Sequence, residues 1–292
     1  MKNIKDIIVE ENVSLKKYNT YRIEALAKYL VSVLSIEGLI DLIKYLKENQ
    51  VKYFILGAGS NIILDDYFDG VVIKLDKINN IDINDLEVRA GAGAMMGRLS
   101  RATVDKNLTG LEWAINIPGT IGGSINGNAG AYNSEIFDNL ISLKVLTNNL
   151  EVKDINKEEI KYSYRSTNIK DLGLIVLEAT FKLEEGNKQE SLDKIKDRCE
   201  RRKETQPLDM PSAGSVFRNP ENDHAGRLIE ASGLKGKIIG GAQVSLKHAN
   251  FIVNTGTATS KDIKNLIKLV QDTVKEKFGV ELILEQEIID WK

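Results

Sequence analysis

Apolar positions fall into two periods along this chain, and their alternation predicts a mixed α/β molecule. Ile36, Leu39, Ile40, Ile43 and Leu46 recur at helical spacing behind Ser35, which predicts a helix capped by that serine. A second stripe, Ile263, Leu266, Ile267, Val270, Val274 and Phe278, predicts a helix from Ser260 to Lys277 that Gly279 stops. Further helices are predicted over about 96–106 and 225–232, the latter ending at Gly233. A charged helix over about 189–203 turns Leu192, Ile195 and Cys199 inward. Short β-rich runs predict strands over 29–33, 52–56, 62–64, 71–75, 86–90, 140–147, 174–183, 238–244, 251–254 and 280–289, with a turn at 65–70.

The chain has 292 residues, room for two domains. Its character shifts from about Leu86, and Glu185-Gly186-Asn187 has the look of a linker; the expected division is 1–188 (about 1–80 and 81–188) and 189–292. A formal net charge of −2 offers no positive field for nucleic acid. Cys199 is the only cysteine, so there is no intrachain disulfide and no cysteine-based zinc site. His224 and His248 stand outside any metal-ligand spacing, so no metal is expected. Residues 1–13 alternate charge with isoleucine, unlike a secretory signal, and no apolar run approaches membrane-spanning length. The expectation is a cytoplasmic monomer, not inserted in a membrane.

Two glycine-rich stretches carry the first chemistry. Gly57-Ala58-Gly59-Ser60-Asn61 lies between two predicted strands, where glycine lets backbone approach a phosphate closely. It has neither the third glycine of a dinucleotide fingerprint nor the lysine of a P-loop, and a tight β-turn remains the plain reading. Ile117-Pro118-Gly119-Thr120-Ile121-Gly122-Gly123 and Asn126-Gly127-Asn128-Ala129-Gly130-Ala131-Tyr132 form a longer small-residue segment. Ordering so much glycine is entropically costly, which makes sense where backbone must lie against a flat or charged ligand.

These stretches, with Asn19-Thr20-Tyr21-Arg22, Tyr164-Arg165-Ser166, Pro211 to Pro220 (PSAGSVFRNP), Gly233-Leu234-Lys235-Gly236, His248-Ala249-Asn250-Phe251 and Leu284-Glu285-Gln286-Glu287, resemble the UDP-N-acetylenolpyruvoylglucosamine reductase (MurB) family in order, from about residue 18 to 289. The resemblance implies an α+β protein. An FAD-binding region of the vanillyl-alcohol-oxidase (PCMH) type would occupy 1–188, and a C-terminal α/β substrate domain 189–292. Gly57, Ala58, Gly59, Ser60, Asn61, Pro118, Gly119, Thr120, Gly122, Gly123, Asn128, Ala129 and Gly130 would hold FAD. That half contains no His or Cys, so FAD would be noncovalent. NADPH would be the hydride donor and a UDP-sugar the substrate, the two using overlapping space in turn.

The implied substrate is an enol ether bearing a carboxylate. Hydride addition to its methylene carbon builds negative charge that spreads into the carboxylate, so the site needs electrophilic stabilisation and an acid. By the resemblance Arg165 binds and polarises the carboxylate, Ser215 donates the proton, and Glu287, with Glu285 as its rival, assists. Tyr164 and Asn219 would contact substrate. Taken alone, Arg165 reads as a surface ion-pair former, Ser215 as a turn residue and Glu287 as a solvated strand position. The chain departs from the family at Ile289, where many members carry a basic residue, and it resembles the shorter type that lacks a tyrosine-bearing loop insertion. Two rivals share the fold: a flavin oxidase of a sugar lactone or alcohol, and a non-catalytic nucleotide-sugar binding protein.

Overall fold

The computed structural model describes Met1 and residues 3–289, which divide into two units. The first holds residues 1–11, 29–58 and 70–199; the second holds 12–28, 59–69 and the chain from 200 onward.

In the first unit, five antiparallel strands lie in the order Val152–Asn156, Leu140–Leu146, Ile175–Lys182, Glu87–Gly91, Ile81–Asn84. The period of two is plain in the third of these, where Leu177, Ala179 and Phe181 are all fully buried. Ile81–Asn84 escaped the sequence pattern because its alternation is only four residues long and flanked by polar residues; Ala90, opposite Ile81, gives it register. A second sheet, in the order Ile7–Ser14, Leu26–Val33, Tyr67–Lys74, Tyr53–Ile55, contributes Val31, Val33, Val71 and Ile73 to the same core. Its third strand begins at Tyr67, inside the predicted turn. Ile36–Glu48 is helical as expected, with Ser35 Oγ accepting from Gly38 N at 3.0 Å.

The small-residue segment is not all loop. Ile121–Asn126 is a short helix with Thr120 as its cap. Ile121 and Ile125, one helical turn apart, are both fully buried, and that pair of anchors is what offsets the glycines.

The second unit is built on the helix Ser260–Phe278. Thr259 and Asp262 form a reciprocal capping box, and Gly279, at φ 68°, ends the helix. Ile263, Leu266, Ile267, Val270 and Val274 are buried, each contributing about 1.5–3 kcal/mol. Phe278 was expected in that stripe and is 40% exposed. It stands in the helix's last position, past the packed layer, and its ring carries the Arg227 guanidinium at 5.9 Å. The helix Ala225–Ala231 and a three-stranded sheet, Ile238–Ile239, Ala242–Val244 and Ile252–Asn254, complete this core. The single strand expected over 238–244 is a hairpin folded at Gly240-Gly241. The long last strand shrinks to Glu287–Ile289, paired in parallel with Ile62–Leu64, while Leu284 makes one bridge to Phe217. Alternation over 280–286 was real, but the irregular segment around Phe217 that meets it makes one bridge and no ladder.

The helix Lys188–Thr205 starts in the first unit against Glu112. That carboxylate is 4% exposed and accepts from Thr109 Oγ1 (2.6 Å), Ser191 Oγ (2.7 Å) and Gly110 N (2.9 Å). Burial works to raise its pKa, but these bonds outweigh it and hold the group down to about 2, against an ordinary 4.5. The folded-state pKa is the lower one, so this stabilisation is present above about pH 4.5 and is lost as pH falls toward 2. Glu112→Gln is therefore expected to cost about 1–3 kcal/mol at neutral pH, with the gap to wild type closing on acidification. Urea unfolding at a series of pH values checks this; a gap independent of pH would contradict it.

Candidate active site

In the second unit the expected residues gather where two irregular segments meet. Val216 O accepts from Glu285 N at 2.9 Å, and Arg218 N donates to Ile283 O at 2.9 Å, so the chain around Ser215 runs beside the chain leading to Glu287. Asn250 locks the first segment: Val216 N donates to its carbonyl (2.9 Å), Phe217 N to its Oδ1 (3.0 Å), and its Nδ2 donates to Phe217 O (2.8 Å). Asn61 joins the second, its Nδ2 donating to Glu285 O (3.0 Å) and its carbonyl accepting from Glu287 N (2.9 Å). Ser215 is half-buried and Glu287 exposed. Asn219 is exposed, and its Oδ1 accepts from Ala225 N at 3.1 Å, at the start of the Ala225–Ala231 helix.

The Asn19-Thr20-Tyr21-Arg22 motif seats the glycine loop. Thr20 donates to Gly59 O through both N (3.0 Å) and Oγ1 (3.3 Å). Gly59 has φ 66°, and a Cβ there would stand 2.1 Å from Tyr18 O. Only glycine satisfies both conditions.

Ser60 also belongs to the second unit, with Gly59 and Asn61, and the first unit holds the remaining expected residues. Gly57 lies against the Thr120–Gly123 turn, where an added Cβ would meet Thr120 Oγ1 at 2.9 Å. Ile121 N and Gly122 N donate to Ala94 O and Ala92 O (2.8 and 2.9 Å), so those two amides face the protein. Asn128 is fully buried, its Nδ2 donating to Ser163 O at 2.9 Å while its Oδ1 has no partner. Ala129 N donates to Ser124 O at 2.9 Å, fixing the loop on the short helix. Arg165 occupies the two-residue turn of the hairpin Tyr162–Ser163/Ser166–Thr167 with φ 56°. Its guanidinium donates to Gly130 O (2.5 Å) and Asn128 O (3.4 Å), and the Tyr164 ring lies 5.0 Å from it. Arg165, Tyr164 and the Asn128–Gly130 loop thus come together in the first unit; Ser215, Asn219 and Glu287 lie in the second.

Residues without an assigned role in the sequence also support this framework. Gln286, 3% exposed, bonds to the segment before Ser215 and to Tyr21. Lys74, 8% exposed, donates to Gly57 O at 2.5 Å, and burial pushes its pKa down against the pull of Asp76. A lysine closing the apolar run 71–75 was the available signal for it.

Two family models match: an FAD-binding domain over residues 27–156, and the C-terminal domain of UDP-N-acetylenolpyruvoylglucosamine reductase over 206–289. The reductase of Clostridium perfringens is 44% identical over 288 residues, covering 98% of this chain and 94% of that one. That of Caldanaerobacter subterraneus subsp. tengcongensis is 43% identical over 282 residues, covering 96% and 93%. This chain belongs to the UDP-N-acetylenolpyruvoylglucosamine reductase family. The solved reductase of Thermus caldophilus shares its fold, with a TM-score of 0.84 and 34% identity over 97% of this chain and all of that one. The reductase is accordingly an α+β, FAD-dependent oxidoreductase with an FAD-binding domain and a separate C-terminal domain. Ser215, Asn219 and Glu287 fall inside the C-terminal match, the glycine loops inside the FAD-binding match, and Tyr164-Arg165 between the two.

The first unit's residues fit FAD. Gly57, Gly122 and Gly123 present backbone without side chains, and Asn128 Oδ1 is a buried acceptor that a bound group's N–H or O–H can satisfy. Gly59→Ala in the reductase is expected to cost at least about 2 kcal/mol, from the left-handed backbone and the clash with Tyr18 O together. Thermal unfolding measures it; a loss under 0.5 kcal/mol, on the order of a neutral surface change, would show that the loop relaxes freely.

Proposed function

We propose that this reductase transfers hydride from NADPH, by way of FAD, to UDP-N-acetylglucosamine enolpyruvate, giving UDP-N-acetylmuramate for peptidoglycan precursor synthesis. It would act as a cytoplasmic monomer. Two observations support this reading, one within each unit. Ser215 and Glu287 stand on hydrogen-bonded neighbouring segments, and Arg165 is oriented by two carbonyls of the Asn128–Gly130 loop. All of this lies in a chain 44% identical to a reductase over 98% of its length.

The chemistry that bound FAD would supply is hydride relay between NADPH and the terminal methylene carbon of the enol ether. Everything else falls to side chains. Arg165 receives the substrate carboxylate, its planar fork matching two oxygens while the bonds to Gly130 O and Asn128 O fix its plane. Negative charge arriving on the carbon beside that carboxylate is drawn toward the guanidinium. Ser215 Oγ then gives its proton to that carbon, completing the saturated lactyl ether. A serine hydroxyl is a weak acid, and Glu287 assists, as a neutral acid or through a water, by donating toward the charge developing at the carboxylate. Tyr164 stacks under the guanidinium, and Asn219 contacts the sugar or diphosphate. Gly57 to Asn61, Pro118, Gly119, Thr120, Gly122, Gly123 and Asn128 to Gly130 would hold FAD without a covalent tether.

The separating measurement is anaerobic visible spectroscopy of the purified protein. Flavin absorbance is expected to bleach with NADPH and return when UDP-N-acetylglucosamine enolpyruvate is added. Return only with oxygen would favour an oxidase, and absence of flavin after reconstitution with FAD would favour a binding protein. Ser215→Ala is expected to leave bleaching by NADPH intact and to slow the return by about 10²–10⁴-fold; equal losses in both half-reactions would remove Ser215 as proton donor. Arg165→Lys is expected to lose most of its turnover, because a point ammonium cannot present the fork. Near-normal turnover would take Arg165 out of the mechanism.

A further inference from the structure

Gln286 stands out as a polar side chain that packing does not require. It is 3% exposed beside a core of Ile63, Ala213, Val216, Phe217 and Leu282, where an apolar residue would fill the same space without desolvating an amide. Its amide is fully engaged. Nε2 donates to Ala213 O (3.0 Å) and Gly214 O (3.3 Å), and Oε1 accepts from Tyr21 OH (2.9 Å). The amide's orientation is forced, since turning it over would set an oxygen against two carbonyl oxygens. Tyr21 is itself fully buried, and Asn254 Nδ2 holds its carbonyl at 2.8 Å.

All these bonds meet at one place. Gly214, at φ 75°, is the most pliable residue of the segment, and Ser215 follows it. Downstream of Ser215, Asn250 grips Val216 and Phe217. Upstream, the Gln286 amide grips Ala213 and Gly214. Ser215 is thus suspended between two side-chain amides, and Glu287 is the residue next to one of them, its own N–H on Asn61 O at 2.9 Å.

We infer that Gln286 is a positioning residue for the reduction: its side chain, backed by Tyr21, sets the place of Ser215, and its main chain sets the place of Glu287. This rests on the roles proposed above for Ser215 and Glu287. The consequence is specific. Loss of the clamp frees the upstream side of Ser215 and leaves the Tyr21 hydroxyl without its acceptor, while Asn250 keeps the downstream side and Asn61 keeps Glu285 and Glu287 by its own bonds. A displacement of about 1 Å at a reacting group costs on the order of 100-fold.

The test uses the FAD-loaded enzyme and follows the two half-reactions separately in Gln286→Leu, Gln286→Glu and Tyr21→Phe. In Gln286→Leu, flavin content and the rate of bleaching by NADPH are expected within about twofold of wild type, while the return of absorbance with the enolpyruvyl substrate slows about 10–100-fold. Tyr21→Phe, which removes a single oxygen, is expected to slow that return about 3–10-fold and decides the matter if Gln286→Leu does not fold. Gln286→Glu is expected to approach wild type as pH is lowered, because a protonated carboxyl restores one donor and one acceptor at the same places; Gln286→Leu has no such recovery. A return rate unchanged in both Gln286→Leu and Tyr21→Phe, or equal losses in both half-reactions, overturns the positioning role. Failure of the wild-type enzyme to return with the enolpyruvyl substrate overturns the reaction itself and this role with it.

Discussion

Irregular backbone that is buried must have its N–H and C=O groups paired by something other than a helix or a sheet ladder. In the second unit of this reductase, carboxamide side chains meet that need. Asn19 spans the turn around Tyr21, donating to Leu15 O and Ile23 O and accepting from Ile23 N. Asn250 pairs both groups of Phe217, Gln286 pairs Ala213 and Gly214, and Asn254 donates to Tyr21 O while accepting from Gly256 N and Ala258 N. A carboxamide offers donor and acceptor on one rigid plane without charge, so it can imitate a missing strand. The segments around Ser215 and Glu287 can therefore be loops in composition and still be fixed in position.

The glycine loops answer the opposite need. At Gly59 the chain presses against the Tyr18 carbonyl and at Gly57 against the Thr120 hydroxyl; a Cβ would stand 2.1 Å from the first and 2.9 Å from the second. Rigid amide-held segments and side-chain-free approaches complement each other. One fixes the segments that carry Ser215 and Glu287, and the other lets the chain pack closely around Gly57 and Gly59.

How much of this the sequence disclosed depended on how local the cause was. The helices Ile36–Glu48 and Ser260–Phe278 were legible to within a residue or two, because cap, stripe and stop lie within a few positions of one another. The final strand was misjudged because alternation describes one chain and a ladder needs two; Ile62–Leu64 meets only Glu287–Ile289. The short helix Ile121–Asn126 was hidden by its glycines, although Thr120, Ile121 and Ile125 were the signals that form it. The candidate site was legible only through ordered motifs. Nothing in the spacing of Asn19-Thr20-Tyr21-Arg22 and Leu284-Glu285-Gln286-Glu287 says that Tyr21 and Gln286 bond across 265 positions.

Arg165 shows why such a site resists reading from local preference. A left-handed backbone at a non-glycine residue costs on the order of 1–3 kcal/mol, and propensity alone would put Asn or Gly in that turn. Arg165 adopts φ 56°, and the loop it binds contains three more non-glycine residues at positive φ: Asn128, Tyr132 and Asn133. The strain persists because it is overdetermined. The guanidinium is tied to Gly130 O and Asn128 O, Asn128 is tied to Ser163 O in the same hairpin, and Tyr132 OH is tied to Arg198 O. Hairpin and loop hold each other in conformations neither would keep alone. On the proposal that Arg165 receives the substrate carboxylate, a guanidinium mounted in this way has little freedom left to lose, so the strain accepted on folding would lower the entropic cost of binding.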